Sequence, residues 1–96
     1  MGFWIEFVQL VFIFELMKIK LLLFGITRDL LNANELFFEV LENTNIGDLK
    51  KELGLKYPQV ENISSYAIAV NESYANDNLM LQEKDIVAII PPVSGG

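Results

Sequence analysis

The apolar run Ile86-Val87-Ala88-Ile89-Ile90, followed at once by Pro91-Pro92, constrains the fold of this 96-residue chain more than any other feature. β-Branched side chains favour strands, and a strand that is apolar on both sides is typical of the centre of a sheet. Proline has no N–H for a ladder, so the strand has to end at Ile90. The sequence therefore predicts a last strand at the centre of a sheet, followed by a short tail.

Four further stretches are predicted to be strands, because they are rich in β-branched, aromatic and other apolar residues. They are Lys18–Phe24, Glu35–Leu41, Tyr66–Val70 and Ser73–Ala75, of which the last is either a short strand or an arm. Asn71-Glu72 is the predicted turn between the last two. Because the first and last strands are the most apolar, we expect them side by side and parallel at the centre of the sheet, joined by a long crossover.

The principal helix is predicted between the second and third strands. Apolar residues recur there every three to four positions and mark one buried face: Ile46, Leu49, Leu53 and Tyr57. Thr44 is the predicted N-cap, and Asp48 in the first turn complements the helix dipole. Gly54 weakens the end of the helix and Pro58 stops it.

A shorter helical turn is predicted at 25–31, where the apolar residues are Ile26, Leu30 and Leu31. A mixed sheet of four to five strands with one principal helix across it is an α+β roll. We assign residues 17–90 to this domain and residues 91–96 to a flexible tail.

The first sixteen residues differ from the rest, because twelve of them are hydrophobic. A membrane-spanning helix needs about 20 mostly apolar residues, whereas this run is shorter and carries Glu6 and Glu15. A secretory signal has positive charge before its apolar stretch, and no Lys or Arg precedes this one. We therefore expect residues 1–16 to be an extension outside the domain, with Met17 as the natural start. Attachment to a membrane or a partner is the alternative.

Chemistry that depends on cysteine or histidine is excluded, because the chain contains neither residue. It has no disulfide, no thiolate nucleophile, no imidazole base and no Cys/His metal cluster. No spacing of its carboxylates resembles a calcium loop. We predict no bound metal, no stably bound cofactor and, since cysteine is absent, a cytoplasmic location.

The charge and length of the chain narrow the class of function. A net charge of −6, with 13 acidic and 7 basic residues, argues against nucleic-acid binding, which needs a basic stripe. An acidic surface suits a basic protein partner, or is simply solvated. A chain this short has little room for a catalytic cleft, which favours a carrier, a subunit or a binding module over a free-standing enzyme.

The tail, residues 91–96, ends in Gly95-Gly96 and reaches about 20 Å when extended. Since glycine has no side chain, such a peptide can enter a narrow channel in a partner and bring the carboxylate of Gly96 to a reaction centre. A carboxylate has to be activated, for instance as an acyl-adenylate, before sulfur can replace an oxygen to give a thiocarboxylate. A frayed end is the alternative for an isolated Gly-Gly.

Four segments carry a resemblance to a known family. They are 17–25 (MKIKLLLFG) with Arg28-Asp29-Leu30, then Ile46-Gly47-Asp48-Leu49, Ala69-Val70-Asn71, and the ending 85–96 (DIVAIIPPVSGG). Over residues 17–96 the chain resembles the small subunits of molybdopterin synthase, which are sulfur carriers of the ubiquitin-like β-grasp superfamily. The ending is the most informative segment, because thiamine-pathway sulfur carriers share the Gly-Gly but usually lack the diproline.

The resemblance implies a cycle of sulfur transfer. An E1-like adenylyltransferase uses ATP to adenylate Gly96, and a persulfide-bearing sulfurtransferase supplies sulfur to give a C-terminal thiocarboxylate. The tail then enters the large synthase subunit, with which the chain forms a heterotetramer. Two such transfers convert cyclic pyranopterin monophosphate into the dithiolene of molybdopterin, with the catalytic side chains on the large subunit.

The resemblance also implies roles for individual residues. Gly96 is the site of adenylation and thiocarboxylation, and the tail residues leading to it are Gly95, Ser94 and Val93, of which Val93 is expected to anchor the tail in an apolar slot. Partner binding is expected to involve Phe24, Arg28 and Pro92. The alternative roles are core packing for Phe24 and a solvated charge for Arg28.

Two other classes of function remain open at this stage. The chain can be another ubiquitin-like sulfur carrier or modifier, serving thiamine synthesis, tRNA thiolation or protein conjugation. It can also be a ubiquitin-like interaction module whose tail is never activated. Formation of an adenylate on Gly96 separates the carriers from the interaction module.

Overall fold

The structure, a computed structural model, describes residues 16–62 and 65–92. In chain order the elements are β1 (Leu16–Leu23), α1 (Gly25–Leu31), β2 (Glu35–Leu41), α2 (Ile46–Lys56), a 3-10 helix (Pro58–Asn62), β3 (Ala67–Val70), β4 (Ser73–Ala75) and β5 (Ile86–Ile90). The predicted order of strands and helices is confirmed. Phe24 and Tyr66, which were predicted to belong to strands, lie just outside β1 and β3.

The strands form one mixed sheet in the order β2-β1-β5-β3-β4. β1 and β5 are parallel neighbours at its centre, with Leu21 opposite Val87, and the other pairs are antiparallel. The chain between the two parallel strands includes α2, which provides the crossover that such a pair requires. The predicted α+β roll with first and last strands side by side is confirmed.

One face of the sheet is covered by α2. The buried helix residues Ile46, Leu49 and Leu53 belong to one apolar cluster with inward-facing strand residues such as Ile19 and Ile89, and all five are 0% exposed. Tyr57, at the end of the helix, packs against this cluster. The predicted buried face of α2 is therefore confirmed. The opposite face of the sheet, called the open face below, is not covered by a helix of the described residues.

The N-cap of α2 is Asn45, not Thr44 as the sequence predicted. The Asn45 side chain accepts a hydrogen bond from the Asp48 N–H at 2.8 Å, as N-cap residues do. The Thr44 hydroxyl instead donates to the Leu41 carbonyl at 2.6 Å. Because this bond turns the hydroxyl back toward the preceding turn, the next residue provides the cap. The prediction of Asp48 in the first turn is confirmed.

The buried residue of α1 is Thr27, which is 0% exposed, whereas the apolar Ile26 and Leu30 are 51% and 37% exposed. The predicted helical turn at 25–31 is confirmed, but of its apolar residues only Leu31 packs against the core. Thr27 can be buried because its hydroxyl is satisfied by the Phe24 backbone, from which it accepts at 3.2 Å and to which it donates at 2.5 Å.

Strand β1 begins at Leu16, one residue before the predicted domain start, and Leu16 pairs with Leu41 while remaining 59% exposed. The rest of the predicted extension lies outside the described residues. Within the described parts of the chain, no helix is long and apolar enough to cross a membrane.

We expect a protein that begins at Met17 to fold cooperatively, because the described core contains no residue before Met17. It should also be more soluble than the full chain, since removal of residues 1–16 takes away twelve apolar side chains that can promote association. Circular dichroism with thermal unfolding tests the fold, and binding to the large synthase subunit tests the interface. An unfolded truncated protein, or one that no longer binds, would make residues 1–16 part of the fold or interface.

Candidate functional site

The open face of the sheet carries an apolar groove with a volume of about 630 Å³. Its floor consists of outward-facing residues from the three strands β1, β5 and β3, namely Leu22, Ala69, Ile86, Ala88 and Ile90. Phe24, after β1, and Tyr74, on β4, also line it. Two large aromatic side chains thus stand beside a shallow aliphatic floor, an arrangement suited to binding an apolar protein surface.

The floor is apolar because β1 and β5 carry apolar residues on both sides. Ile86 is 43% exposed, and Ala88 and Ile90 are partly exposed, while Val87 and Ile89 between them are 0% exposed. The sequence predicted from this run a strand at the centre of the sheet, which is confirmed, and its outward residues are exposed because no described helix covers them. Apolar residues that a helix does not cover are available to a partner.

Phe24 is placed at the groove by the turn between β1 and α1. Its backbone is extended, with φ −130° and ψ 154°, and it is the N-cap residue of α1. The two hydrogen bonds between the Thr27 hydroxyl and the Phe24 backbone, one accepted and one donated by the hydroxyl, hold this backbone in place. The Phe24 ring is 48% exposed, although phenylalanine usually buries its side chain, so core packing does not account for it.

The tail leaves the domain beside Phe24. An ideal Cβ built on Gly25 would lie 3.2 Å from the Cγ atom of Pro91, so the first tail residue lies against the start of α1. Gly25 also has φ +54°, a conformation that side chains other than glycine rarely adopt. Pro92, the next residue, is exposed. The groove and the exit of the tail therefore lie at the same end of the sheet.

The remaining predicted site residues have different outcomes. Arg28 is exposed on α1 and is not among the residues that line the groove. Val93, Ser94, Gly95 and Gly96 lie outside the described residues. The roles of these five residues stay predictions, as do the partner-binding roles of Phe24 and Pro92.

Sequence reasoning missed the groove residues Tyr74, Leu22 and Ile90. Tyr74 is 77% exposed although it lies in a strand, which is unusual for so large a side chain. Alternation along β5 was the available signal for Ile90, since in a sheet covered on one side every second residue of an apolar strand faces outward. No local pattern in the sequence marked Tyr74 as a groove residue, because it reaches the same groove as Phe24 only through the order of the strands in the sheet.

The groove offers binding rather than catalysis. Its polar lining residues are Asn71 and Glu72, at one end, and the other residues that line it are apolar or Tyr74. Among residues 16–62 and 65–92, no group of three or more carboxylates lies close enough together to hold a metal ion. The chemistry that this arrangement supports is the presentation of a C-terminal carboxylate by a docked domain.

Comparison with known proteins places the chain among sulfur carriers. The model of the ThiS family matches residues 21–96. The molybdopterin synthase sulfur carrier subunit of Arabidopsis thaliana is 38% identical over 80 residues, which are 82% of this chain and 83% of that protein.

Solved structures have the same fold. A chain in the protein–protein complex of subunits 1 and 2 of the molybdopterin-converting factor from Helicobacter pylori matches with a TM-score of 0.60 and 26% identity, over 83% of this chain and 100% of that one. The small archaeal modifier protein 1 of Methanosarcina acetivorans matches with a TM-score of 0.68 and 24% identity, over 85% and 99%, which shows the fold alone. The chain therefore belongs to the ThiS family and has the ubiquitin-like β-grasp fold of its sulfur carriers.

Proposed function

We propose that this chain is the sulfur carrier subunit of a molybdopterin synthase and that Gly96 carries the sulfur. The observation that carries the proposal is that the tail leaves the domain against Gly25, next to the exposed groove residue Phe24, and that the match to the ThiS family extends through Gly95-Gly96. Docking of the groove on a partner would therefore direct the tail toward that partner. The similarity to carrier subunits of molybdopterin synthases supports this reading.

The proposed activation proceeds in two steps. The Gly96 carboxylate attacks the α-phosphate of ATP on an E1-like enzyme, which gives an acyl-adenylate and releases pyrophosphate. The terminal sulfur of a sulfurtransferase persulfide then attacks the acyl carbon and displaces AMP. A second thiol cleaves the resulting acyl disulfide, so that the thiocarboxylate leaves and the two thiols become a disulfide.

The proposed transfer takes place in the large subunit. The thiocarboxylate sulfur attacks a carbon of the pterin precursor that bears oxygen and displaces that oxygen. Water then cleaves the acyl–sulfur bond, which leaves sulfur on the pterin and restores the Gly96 carboxylate. Two carriers in turn supply the two sulfur atoms of the dithiolene. In this scheme the carrier contributes a docking groove and a slender tail, and the catalytic side chains belong to the large subunit.

A complex with the large subunit is the expected assembly. The Helicobacter pylori structure is a complex of subunits 1 and 2 of the molybdopterin-converting factor, which supports such a partner for this chain. The heterotetramer, the E1-like adenylyltransferase and the sulfurtransferase are parts of the proposal, as are ATP use by the activating enzyme, the lack of a resident cofactor and the cytoplasmic location.

Intact-mass measurement tests the proposal directly. We expect incubation with the cognate E1-like enzyme and ATP to add the mass of one AMP moiety to the chain, at Gly96. After addition of the persulfide donor and a reducing thiol, the AMP mass should be lost, and the chain should differ from the starting protein by the exchange of one oxygen for one sulfur. A reaction without ATP is the control. An unchanged mass with an enzyme preparation that adenylates another carrier would overturn the proposal.

A further inference from the structure

The turn and outer strand of the β3–β4 hairpin, residues 71–75, form an arm that holds Tyr74 at the groove, whereas β3 itself is paired with β5. β4 has three residues and is the edge strand, and its only strand partner in the described sheet is β3. The groove lies on one side of Tyr74, and a cleft of about 510 Å³ lined by Tyr74, Asn76 and Met80, among others, lies on the other. Little packing therefore fixes the position of Tyr74.

The turn of the hairpin is bonded to the start of β5. Asn71 and Glu72 both have positive φ, 50° and 75°, as a tight two-residue turn requires. The Asn71 N–H donates to the Ile86 carbonyl at 2.8 Å, and the Asn71 Oδ1 accepts from the Ile86 N–H at 3.0 Å. The turn thus makes two hydrogen bonds to one residue of the neighbouring strand.

The Asp85 carboxylate completes this attachment. It accepts from the Asn71 Nδ2 at 3.0 Å with one oxygen and from the Gln82 N–H at 2.8 Å with the other. Asp85 is 9% exposed, and its carbonyl accepts from the Lys20 N–H of β1 at 3.0 Å. The carboxylate is therefore held by the central strands, and Asn71 connects the arm to it.

We propose that Asn71 and Asp85 are positioning residues, which fix the hairpin arm so that Tyr74 stands at the groove in the geometry that the partner binds. This inference rests on the proposed function, because it concerns the docking of the large subunit. Neither residue supplies apolar contact area to the groove floor. They act through Tyr74, and the loss of their hydrogen bonds would let the arm move.

An exchange of the two side chains tests this role. Asn71→Asp alone places a second carboxylate beside that of Asp85 and removes the donor between them. Asp85→Asn alone leaves a single side-chain oxygen at position 85 to accept from both the Asn71 Nδ2 and the Gln82 N–H. The double variant Asn71→Asp/Asp85→Asn restores all three side-chain bonds. The carboxylate at position 71 accepts from Ile86 and from the new amide, whose oxygen accepts from Gln82, and the net charge stays the same.

We expect each single variant to weaken binding of the large subunit about tenfold, the effect of losing one or two partly buried hydrogen bonds, and the double variant to bind within about twofold of the native chain. Val40→Ala is the control, because Val40 is buried in β2 at the opposite edge of the sheet. It should lower the melting temperature without changing the dissociation constant. Single variants that melt earlier but bind normally would overturn the inference.

Hydrogen exchange separates this inference from the proposed function. Amides of the arm, residues 71–75, should exchange faster in both single variants and at the native rate in the double variant, whether or not a partner is present. If the native chain fails to bind the large subunit, the proposed function fails, and the exchange rates still decide whether Asn71 and Asp85 hold the arm. Unchanged exchange in the single variants would refute that role.

Discussion

Deletion of Gly96 is expected to abolish sulfur transfer while the domain keeps its fold. The proposed reaction takes place at the C-terminal carboxylate, and a tail shortened by one residue holds that carboxylate about 3.3 Å short of the reaction centre. A displacement of even 1 Å can cost about 100-fold in rate. One residue added after Gly96 should have the same effect, because the carboxylate of Gly96 is then part of a peptide bond.

The stability of the domain should not change in either variant. Within residues 16–62 and 65–92, the last core residue is Ile89, so the free energy of unfolding should change by less than about 0.5 kcal/mol, as for other surface changes. Synthase activity, measured with the activating enzyme, ATP and a persulfide donor, tests the first expectation, and thermal unfolding tests the second. Activity retained in either variant would contradict the assignment of Gly96. Lost activity with a lower melting temperature would point to a fold defect instead.

The arrangement of strands could be predicted because the sequence carries local signals for it. Glu35–Leu41, Ser73–Ala75 and Ile86–Ile90 begin and end where the composition indicates. Turn residues and proline set these ends, and both act through the backbone of neighbouring residues. The parallel pairing of β1 and β5 followed from their apolar character, since the most apolar strands occupy the centre of a sheet.

Two local features that the sequence did not indicate, the N-cap of α2 and the burial of Thr27, depend on which of several competing hydrogen bonds forms. Thr44 and Asn45 are both favourable N-cap residues, and the Thr44 hydroxyl is bonded to the Leu41 carbonyl, which leaves the cap to Asn45. Thr27 is buried in α1 because its hydroxyl bonds to the Phe24 backbone on both sides. Polarity alone would have placed it at the surface.

The groove could be predicted only in part, because it is assembled from distant segments. Phe24 was identified from the resemblance, but Tyr74 lies fifty residues later and reaches the groove through the order β1-β5-β3-β4. The continuous apolar character of β5 indicated the centre of the sheet, but it did not indicate that one side of the strand is the groove floor. The pattern of apolar residues along a strand shows which side chains share a face of the sheet. It does not show whether a helix, a partner or solvent covers that face.

The substitution Phe24→Asp is expected to weaken binding of the large subunit by at least about 2 kcal/mol, or roughly 30-fold, because docking would desolvate a carboxylate against an apolar surface. The fold should persist, since Phe24 is the N-cap of α1 and aspartate is favoured at that position. A lost interaction could then not be attributed to unfolding. Calorimetric titration of the large subunit gives the dissociation constant.

Phe37→Asp is the matched control for this prediction. Phe37 lies on the same face of the sheet and is 62% exposed, but it belongs to β2 and does not line the groove. The Nζ atoms of Lys18 and Lys20 lie 5.5 and 5.7 Å from the centre of its ring, so a carboxylate there would stay solvated and close to opposite charge. We expect the affinity of the Phe37→Asp variant for the large subunit to stay within about threefold of the native value, as for a residue outside the interface. Equal losses in the two variants would show that the whole open face, and not the groove, binds the partner, and no loss in Phe24→Asp would remove the groove from the interface.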